Sequence, residues 1–394
     1  MARKKNKIRE DGRIAIQIYL GLDENGKRKY KTVYGRTQAD ADKKAAQVKL
    51  SMSKGIDVTA DKDTFEFWAM QWLESKKREV SNGQYVNYKG TMKHLVSALG
   101  SAQISKIMPI DIQRIIDKLS EFNPNTKKPA SKQTLKNVRL IALQIYQLAI
   151  NNRVLEYNPA NAVKIPINAP KEERRALTDT EQQWIVNTEH RAKRAAMIMM
   201  YAGLRRGEVV ALTWSDINLD DRTISINKTA EKSGNNFLVK NTAKSKSGIR
   251  VIDIPQILAY YLQSEVRDSI HVCVNAQGRM HTVSSWTRMW DSYLFELNMQ
   301  HGEFTLFQNK PKSKYDPKGI PFVIDKITPH YLRHTFATML YFAGVDVLTA
   351  KDQLGHADAA TTLGIYTHLD KTHKRKSMLK LDDFLKSASS VQVV

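Results

Sequence analysis

Thr328-Pro329-His330-Tyr331-Leu332-Arg333-His334-Thr335-Phe336-Ala337 carries its own start signal. Thr328 reads as a helix cap, and Pro329 suits the first helical position, where its missing N–H costs nothing. On the helix that follows, His330 and Arg333 lie one turn apart on one face and can converge on a single small anion. Leu332, Phe336 and Met339 make the opposing, packed side. Downstream, a helix over residues 348–354 stops at Gly355 and leaves His356 at its cap; ten residues later comes Tyr366, within Thr361-Thr362-Leu363-Gly364-Ile365-Tyr366. A lone tyrosine in such a stretch is ordinarily a core residue with one satisfied hydroxyl. The spacing from His356 argues for more.

Further upstream, an apolar segment over residues 197–202 ends at Gly203, a residue suited to a left-handed cap. Gly203-Leu204-Arg205-Arg206-Gly207-Glu208 therefore aims an arginine from just beyond a helix end. A guanidinium fork grips two phosphate oxygens at once. Lys244-Ser245-Lys246-Ser247-Gly248-Ile249-Arg250 adds lysines, between strand-like runs at residues 221–227 and 249–255. His330 and His334 are also an i,i+4 pair, but Tyr331 stands where a zincin needs glutamate and no third ligand is evident, so a metal site is not expected.

The 394 residues carry 62 Lys+Arg against 40 Asp+Glu, a net charge of +22, which is most simply matched by a polyanionic partner. The 42% hydrophobic content suits folded domains. No apolar run is long enough for a membrane span, and no signal core follows the basic start. The single cysteine, Cys273, excludes an intramolecular disulfide framework and fits a reducing, cytoplasmic setting. A phosphodiester resists attack because it is anionic, and displacement gathers charge on its non-bridging oxygens. Arginines and imidazoles can stabilise that charge while a phenol attacks.

In this order and at these spacings the set resembles the tyrosine recombinase (phage-type integrase) family. The resemblance makes Arg205 the first catalytic arginine, Glu208 the carboxylate that orients it, and Tyr366 the nucleophile. It assigns His330, Arg333 and His356 to the same phosphate, with His330 a candidate general base. It places the catalytic lysine at Lys244, or at Lys246 if the gap falls differently, as general acid toward the departing 5′ hydroxyl. The implied chemistry is DNA cleavage and rejoining through a 3′-phosphotyrosine, with no cofactor, integrating and excising a mobile element. Implied partners are double-stranded DNA attachment sites, three further copies in a homotetramer, an excisionase and a host DNA-bending protein, in the bacterial nucleoid.

The implied architecture is multidomain. Residues 1–60 form a small α+β arm-type DNA-binding domain with a three-stranded sheet and a helix. Residues 61–165 form an all-α core-binding domain, 166–174 a linker, and 175–394 a mainly α catalytic domain with a small β-sheet and a C-terminal tail. Sequence patterns agree with the outline. Residues 1–55 hold 15 Lys+Arg against 6 Asp+Glu. Ile14, Ile16, Ile18 and Leu20 alternate with polar neighbours, a turn follows at residues 21–26, residues 27–34 alternate again, and a helix is expected over 37–53. Arg13, Gln17, Lys29 and Lys31 on such a hairpin either enter a DNA groove or are simply solvated; the resemblance favours the groove. Gly21-Leu22-Asp23-Glu24-Asn25-Gly26-Lys27 mimics a P-loop, but Arg28 replaces the magnesium-binding hydroxyl, so ATP binding is discarded.

Helical patterns follow from Thr64, then over residues 82–99, 108–119 and 131–151, the last with Leu135, Val138, Leu140 and Ile141 turned partly inward. Lys89, Lys93, Lys132, Lys136 and Arg139 lie on the polar sides, as DNA contacts or as solvated charge. Proline and charge mark the linker, and Thr178-Asp179-Thr180-Glu181 is a capping box that opens the next domain. In the tail, Met378, Leu379, Leu381, Phe384 and Leu385 fit a short amphipathic helix that docks on its own domain or on a neighbour. A DNA-binding regulator without catalysis, or a Xer-like chromosome resolvase, are the alternatives. The complete Arg-Lys-His-Arg-His-Tyr set argues against the first, and the basic N-terminal region against the second. A hydrolytic nuclease lacks its carboxylate metal site.

Overall fold

The computed structural model describes residues 10–22, 25–59, 63–171, 175–241, 249–304 and 321–366. The chain divides into two compact units, Met1–Glu172 and Glu173–Val394. The division falls inside the expected linker, and the two expected N-terminal domains lie in one unit.

In the first unit, β1 (Ile14–Leu22) and β2 (Arg28–Gly35) form an antiparallel hairpin with Ile18 opposite Lys31 and Tyr19 opposite Tyr30. Three strands were expected; the described residues supply two. Helix α1 (Gln38–Ser53) starts at Thr37, whose side chain accepts from the Asp40 N–H, and buries Ala41 and Ala45. Small residues are needed there: a Cβ on Gly35 would lie 2.3 Å from the Ala41 nitrogen. A Lys54–Glu156 ion pair and an Asp57 N–H bond to the Arg153 carbonyl tie this segment to the helices beyond.

Those helices are α2 (Phe65–Lys76), α3 (Asn82–Leu99), α4 (Pro109–Glu121) and α5 (Lys132–Asn151). Thr64, Ser81 and Ser131 cap α2, α3 and α5 through their hydroxyls, each bond satisfying a donor the helix leaves open. α5 runs through the centre, burying Leu135, Val138, Ile141, Ile145 and Tyr146. Leu140 departs from expectation: it is 44% exposed, because its position falls between the buried stripe and the polar side.

The second unit opens with α6 (Asp179–Asn187), whose Thr178–Glu181 capping box forms as expected. Then come α7 (Lys193–Ala202) and α8 (Arg206–Ala211). Strands β3 (Ile217–Asn218), β4 (Thr223–Ile226), β5 (Lys228–Ser233), β6 (Asn236–Asn241) and β7 (Arg250–Asp253) follow. They make a three-stranded sheet in the order β3-β4-β7 and a separate β5–β6 hairpin. The helices α9 (Gln256–Gln263), α10 (Val283–His301), α11 (Pro329–Phe342), α12 (Val347–Leu354) and α13 (Ala359–Tyr366) follow among the described residues.

α7 is buried almost all round, and its Ile198, Met199 and Met200 join Trp286, Tyr293 and Leu332 in one core. Each such side chain contributes roughly 1.5–3 kcal/mol by leaving water. Two bonds fix the start of α11 on this core: Trp290 Nε1 donates to the Ile327 carbonyl at 3.0 Å, and the Leu177 N–H donates to Thr335 Oγ1 at 2.8 Å. Among the described residues no helix is long and apolar enough to cross a membrane. Lys244, Lys246 and the expected tail helix lie outside the described residues.

Candidate active site

The site is assembled at chain reversals in the second unit. Gly203 ends α7 in the left-handed region, at φ +66°, and a Cβ there would lie 2.4 Å from the Phe336 ring. The reversal buries Leu204 and makes Arg205 the extended N-cap of α8. At the third position of α8, Glu208 reaches back and accepts the Arg205 backbone N–H at 2.9 Å. Its carboxylate also accepts Arg205 Nη1 at 2.9 Å and two Arg250 donors, Nη1 at 3.2 Å and Nη2 at 3.1 Å. Burial pushes the Glu208 carboxyl toward neutrality, but the Arg250 hydrogen bonds and the two arginine charges outweigh it. The net shift is below the usual carboxylate range.

Arg333, from the first turns of α11, is buried and donates to the carbonyls of Gly203 and Leu354, joining the end of α7 to the end of α12. A cation at helix C-termini meets open carbonyls and a favourable dipole. Burial, then the neighbouring Arg205 and Arg250 charges with Glu208 opposing, bring the guanidinium pKa down to about 9, so it stays charged at neutral pH. Arg205 Nη2 donates to the next carbonyl, that of Gly355, at 2.7 Å.

Gly355 ends α12 in the left-handed region, and the His356 N–H closes the turn on the Lys351 carbonyl at 3.0 Å. This 6→1 bond is the Schellman arrangement. It sets His356 beside the arginines, with Nδ1 2.8 Å from the fully buried Thr362 hydroxyl. Burial, then Arg333, Arg205 and Arg250, hold its pKa down to about 4. The imidazole is therefore neutral at physiological pH, with one N–H to donate.

A cleft of about 330 Å³ opens over this cluster, lined by Leu204, Arg205, Arg206, Thr328, His330 and Arg333 among others. Pro329 occupies the first turn of α11, as expected, and aligns His330 with Arg333. Tyr366 ends α13, which packs on α11 and α12. It is 7% exposed, its ring centroid is 4.7 Å from that of Tyr341, and its hydroxyl finds no hydrogen-bond partner among the described residues. Burial first, then Asp346 and Tyr341, raise the phenol's pKa.

Arg205, Glu208, His330, Arg333 and His356 thus come together, and Tyr366 sits on the adjoining helix. Two contributors went unremarked in the sequence. Arg250, the last residue of the lysine phrase, is 8% exposed at its side chain and also donates to the Gln353 carbonyl at 3.2 Å. Thr362 carries no signal beyond its spacing from His356.

The basic residues of the first unit fall into different settings. Arg13 and Gln17 are exposed; Arg13 pairs with Asp11 and lies 5.7 Å over the Tyr34 ring. Lys29 is exposed, whereas Lys31 turns to the packed side of the hairpin and donates to the Val58 carbonyl at 2.6 Å. The alternation that buries Ile18 dictates this, since the two are cross-strand partners. Lys89, Lys93 and Lys136 are exposed and Lys132 half-buried. Arg139 is engaged by the carbonyls of Ala160 and Asn161 at 3.3 and 3.2 Å.

Comparison with known proteins identifies the family and the fold. Residues 169–373 match the phage integrase family, and residues 64–120 match the phage integrase N-terminal SAM-like domain. A XerC-like tyrosine recombinase of Caldanaerobacter subterraneus subsp. tengcongensis is 26% identical, over 97% of this chain and 99% of its own. The ICEBs1 integrase of Bacillus subtilis is 26% identical, over 76% and 78%. Among solved structures, the Tn1549 transposon integrase in complex with transposon right end DNA superposes with a TM-score of 0.63. That likeness has 20% identity and covers 81% of this chain and 99% of that one. A lambda integrase dimer bound to a COC′ core site gives 0.54 at 17% identity, over 92% and 94%. At these identities the structural likeness speaks for the fold. With the family match spanning more than half of the sequence, this chain belongs to the phage integrase family: it is a tyrosine recombinase, a DNA strand-transferring enzyme.

Proposed function

We propose that the protein cuts and rejoins DNA at specific attachment sites, with Tyr366 as nucleophile, and so integrates and excises a mobile element. The phenol oxygen attacks the scissile phosphorus, the bond to the 5′ oxygen breaks, and the strand is held as a 3′-phosphotyrosine. The phenol proton passes to His330 and the leaving 5′ oxygen takes one from Lys244 or Lys246. Arg205, Arg333 and neutral His356 face the non-bridging oxygens and stabilise their charge, with Glu208 orienting Arg205. Attack by the 5′ hydroxyl of a partner strand reverses the step with the bond energy conserved, so no cofactor is drawn on.

The observation that carries this reading is one cleft lined by Arg205, His330 and Arg333, with His356 held beside the same arginines and the helix that bears Tyr366 packed on α11 and α12. The relatives support the setting: one is named for the element ICEBs1, and solved relatives include a lambda integrase tetramer bound to a Holliday junction. We extend this to a homotetramer on paired sites, with residues 1–60 on arm-type DNA, 61–165 on core DNA, and an excisionase and a host bending protein as helpers in the nucleoid. Resolution of chromosome dimers is the second reading, favoured by the full-length likeness to a XerC-like protein.

The test is a nicked suicide substrate carrying the element end, resolved on a denaturing gel. A covalent protein–DNA band that disappears in Tyr366→Phe supports strand transfer. Specific binding with no covalent band points instead to a regulator. Products joining a circular element to a separate target distinguish integration from resolution.

A further inference from the structure

Three arginines meet the cleft, and their donors are in different states. Arg205 commits Nη1 to Glu208 and Nη2 to the Gly355 carbonyl. Arg333 is buried, with both terminal nitrogens on carbonyls. Arg206, which lines the same cleft, is exposed, and its guanidinium has no hydrogen bond or ion pair among the described residues. What steadies it is a ring face: its guanidinium carbon lies 5.9 Å from the centre of Phe237, within the range of a cation–π contact.

That ring is 4% exposed and belongs to the β5–β6 hairpin. The hairpin reaches α8 because residue 207 is glycine; a Cβ there would lie 2.7 Å from the Ala230 carbonyl and from Thr229 Oγ1. The glycine beside Arg206 thus brings in the strand pair that supplies its platform.

We propose that Arg206 grips a DNA backbone phosphate next to the reacting one, as a contact made on binding and kept through the reaction. This rests on the strand-transfer reading of the same cleft. Three features select it. The cleft's volume of about 330 Å³ is roughly ten times the share of one liquid water, so it has room beside the reacting phosphate for its neighbour. An unpaired guanidinium has its full fork available to two oxygens of a phosphate. Finally, a side chain steadied only by a ring lacks the hydrogen-bonded fixation that holds Arg205 and Arg333. Loose fixation suits affinity for the duplex; transition-state stabilisation demands placement within about 0.5 Å.

The experiment compares wild type, Arg206→Gln and Arg206→Lys as full-length protein on an attachment-site duplex. Dissociation constants are measured across a salt series, and single-turnover formation of the covalent complex at saturating DNA. For Arg206→Gln the slope of log affinity against log salt should fall by about one, with roughly a tenfold loss of affinity at low salt. The saturating rate should change by less than about threefold. Arg206→Lys, which keeps the charge, should restore the slope. An unchanged slope in Arg206→Gln overturns the proposal and leaves a solvated side chain. A large fall in the saturating rate with affinity intact overturns it too, making Arg206 a transition-state group. Wild type that binds with the full slope but forms no covalent complex removes the strand-transfer reading and leaves the phosphate contact standing.

Discussion

Arg250 donates both terminal nitrogens to Glu208, at 3.2 and 3.1 Å, with the two side chains only 8% and 4% exposed. The same carboxylate accepts from Arg205, so one buried anion is shared by two cations. Removing one partner of a buried pair leaves the other charge without compensation. Glu208→Gln should therefore cost about 3 kcal/mol in urea unfolding at pH 7. The folded pKa of Glu208 is lowered, so its contribution is present above the ordinary carboxylate range and is lost as pH falls through the folded value. The gap between wild type and Glu208→Gln should accordingly narrow in acid. An equal gap at pH 7 and pH 3 would contradict the charge account.

Tyr366→Phe removes a buried hydroxyl that has no partner among the described residues. Leaving such a group unpaired costs about 1–3 kcal/mol, so the variant should be as stable as wild type or more so. A thermal melt settles this. A clear loss of stability would mean that the hydroxyl makes a bond the described residues do not supply.

His356 should titrate with a midpoint near 4, followed through its ring proton resonances. A histidine depressed in the fold is charged in the unfolded chain from about 6.5 downward. Its share of stability is thus complete above that pH and declines as pH falls toward 4. Arg333→Gln removes one of the charges that oppose protonation and should raise the midpoint. A wild-type midpoint at or above 6.5 would place the ring away from the arginines.

Gly203→Ala combines left-handed strain, about 1 kcal/mol, with overpacking against Phe336, about 1–3 kcal/mol. Unfolding should shift to lower urea by the corresponding amount, and cleavage should fall with it because Arg205 begins at this turn. Unaltered stability would refute the packing account. Gly234→Ala is the control. It has positive φ as well, but no atom lies within 4 Å of its added Cβ, so only the strain should appear.

What could be read in the sequence was what local chemistry dictates. The Thr178–Glu181 capping box, the left-handed glycines at 203 and 355 and Pro329 in the first turn of α11 formed where expected, whereas Thr328 stands at the N-cap without a side-chain bond. The placement of Arg205, Arg333 and His356 followed from those ends. What escaped depends on partners distant in the chain. Arg250 finds Glu208 across 42 positions, which no spacing rule reports. Lys31 and Arg139 looked like free surface charge and instead bond to carbonyls, because a basic side chain gives no sign of which backbone group will meet it. Leu140 was read as partly inward within the helical pattern, and its position beside the buried stripe leaves it 44% exposed.

The unpaired hydroxyl of Tyr366 has one more consequence. A side chain anchored by hydrogen bonds must break them to move, whereas this one is held by packing, with its ring against Tyr341 and no hydrogen bond to its hydroxyl among the described residues. Its phenol gains a partner on meeting water or a phosphate. In the role of nucleophile proposed above, such a side chain would act as a greased latch: cheap to release, poor at reacting where it rests, and dependent on the docked substrate to give its oxygen somewhere better to be.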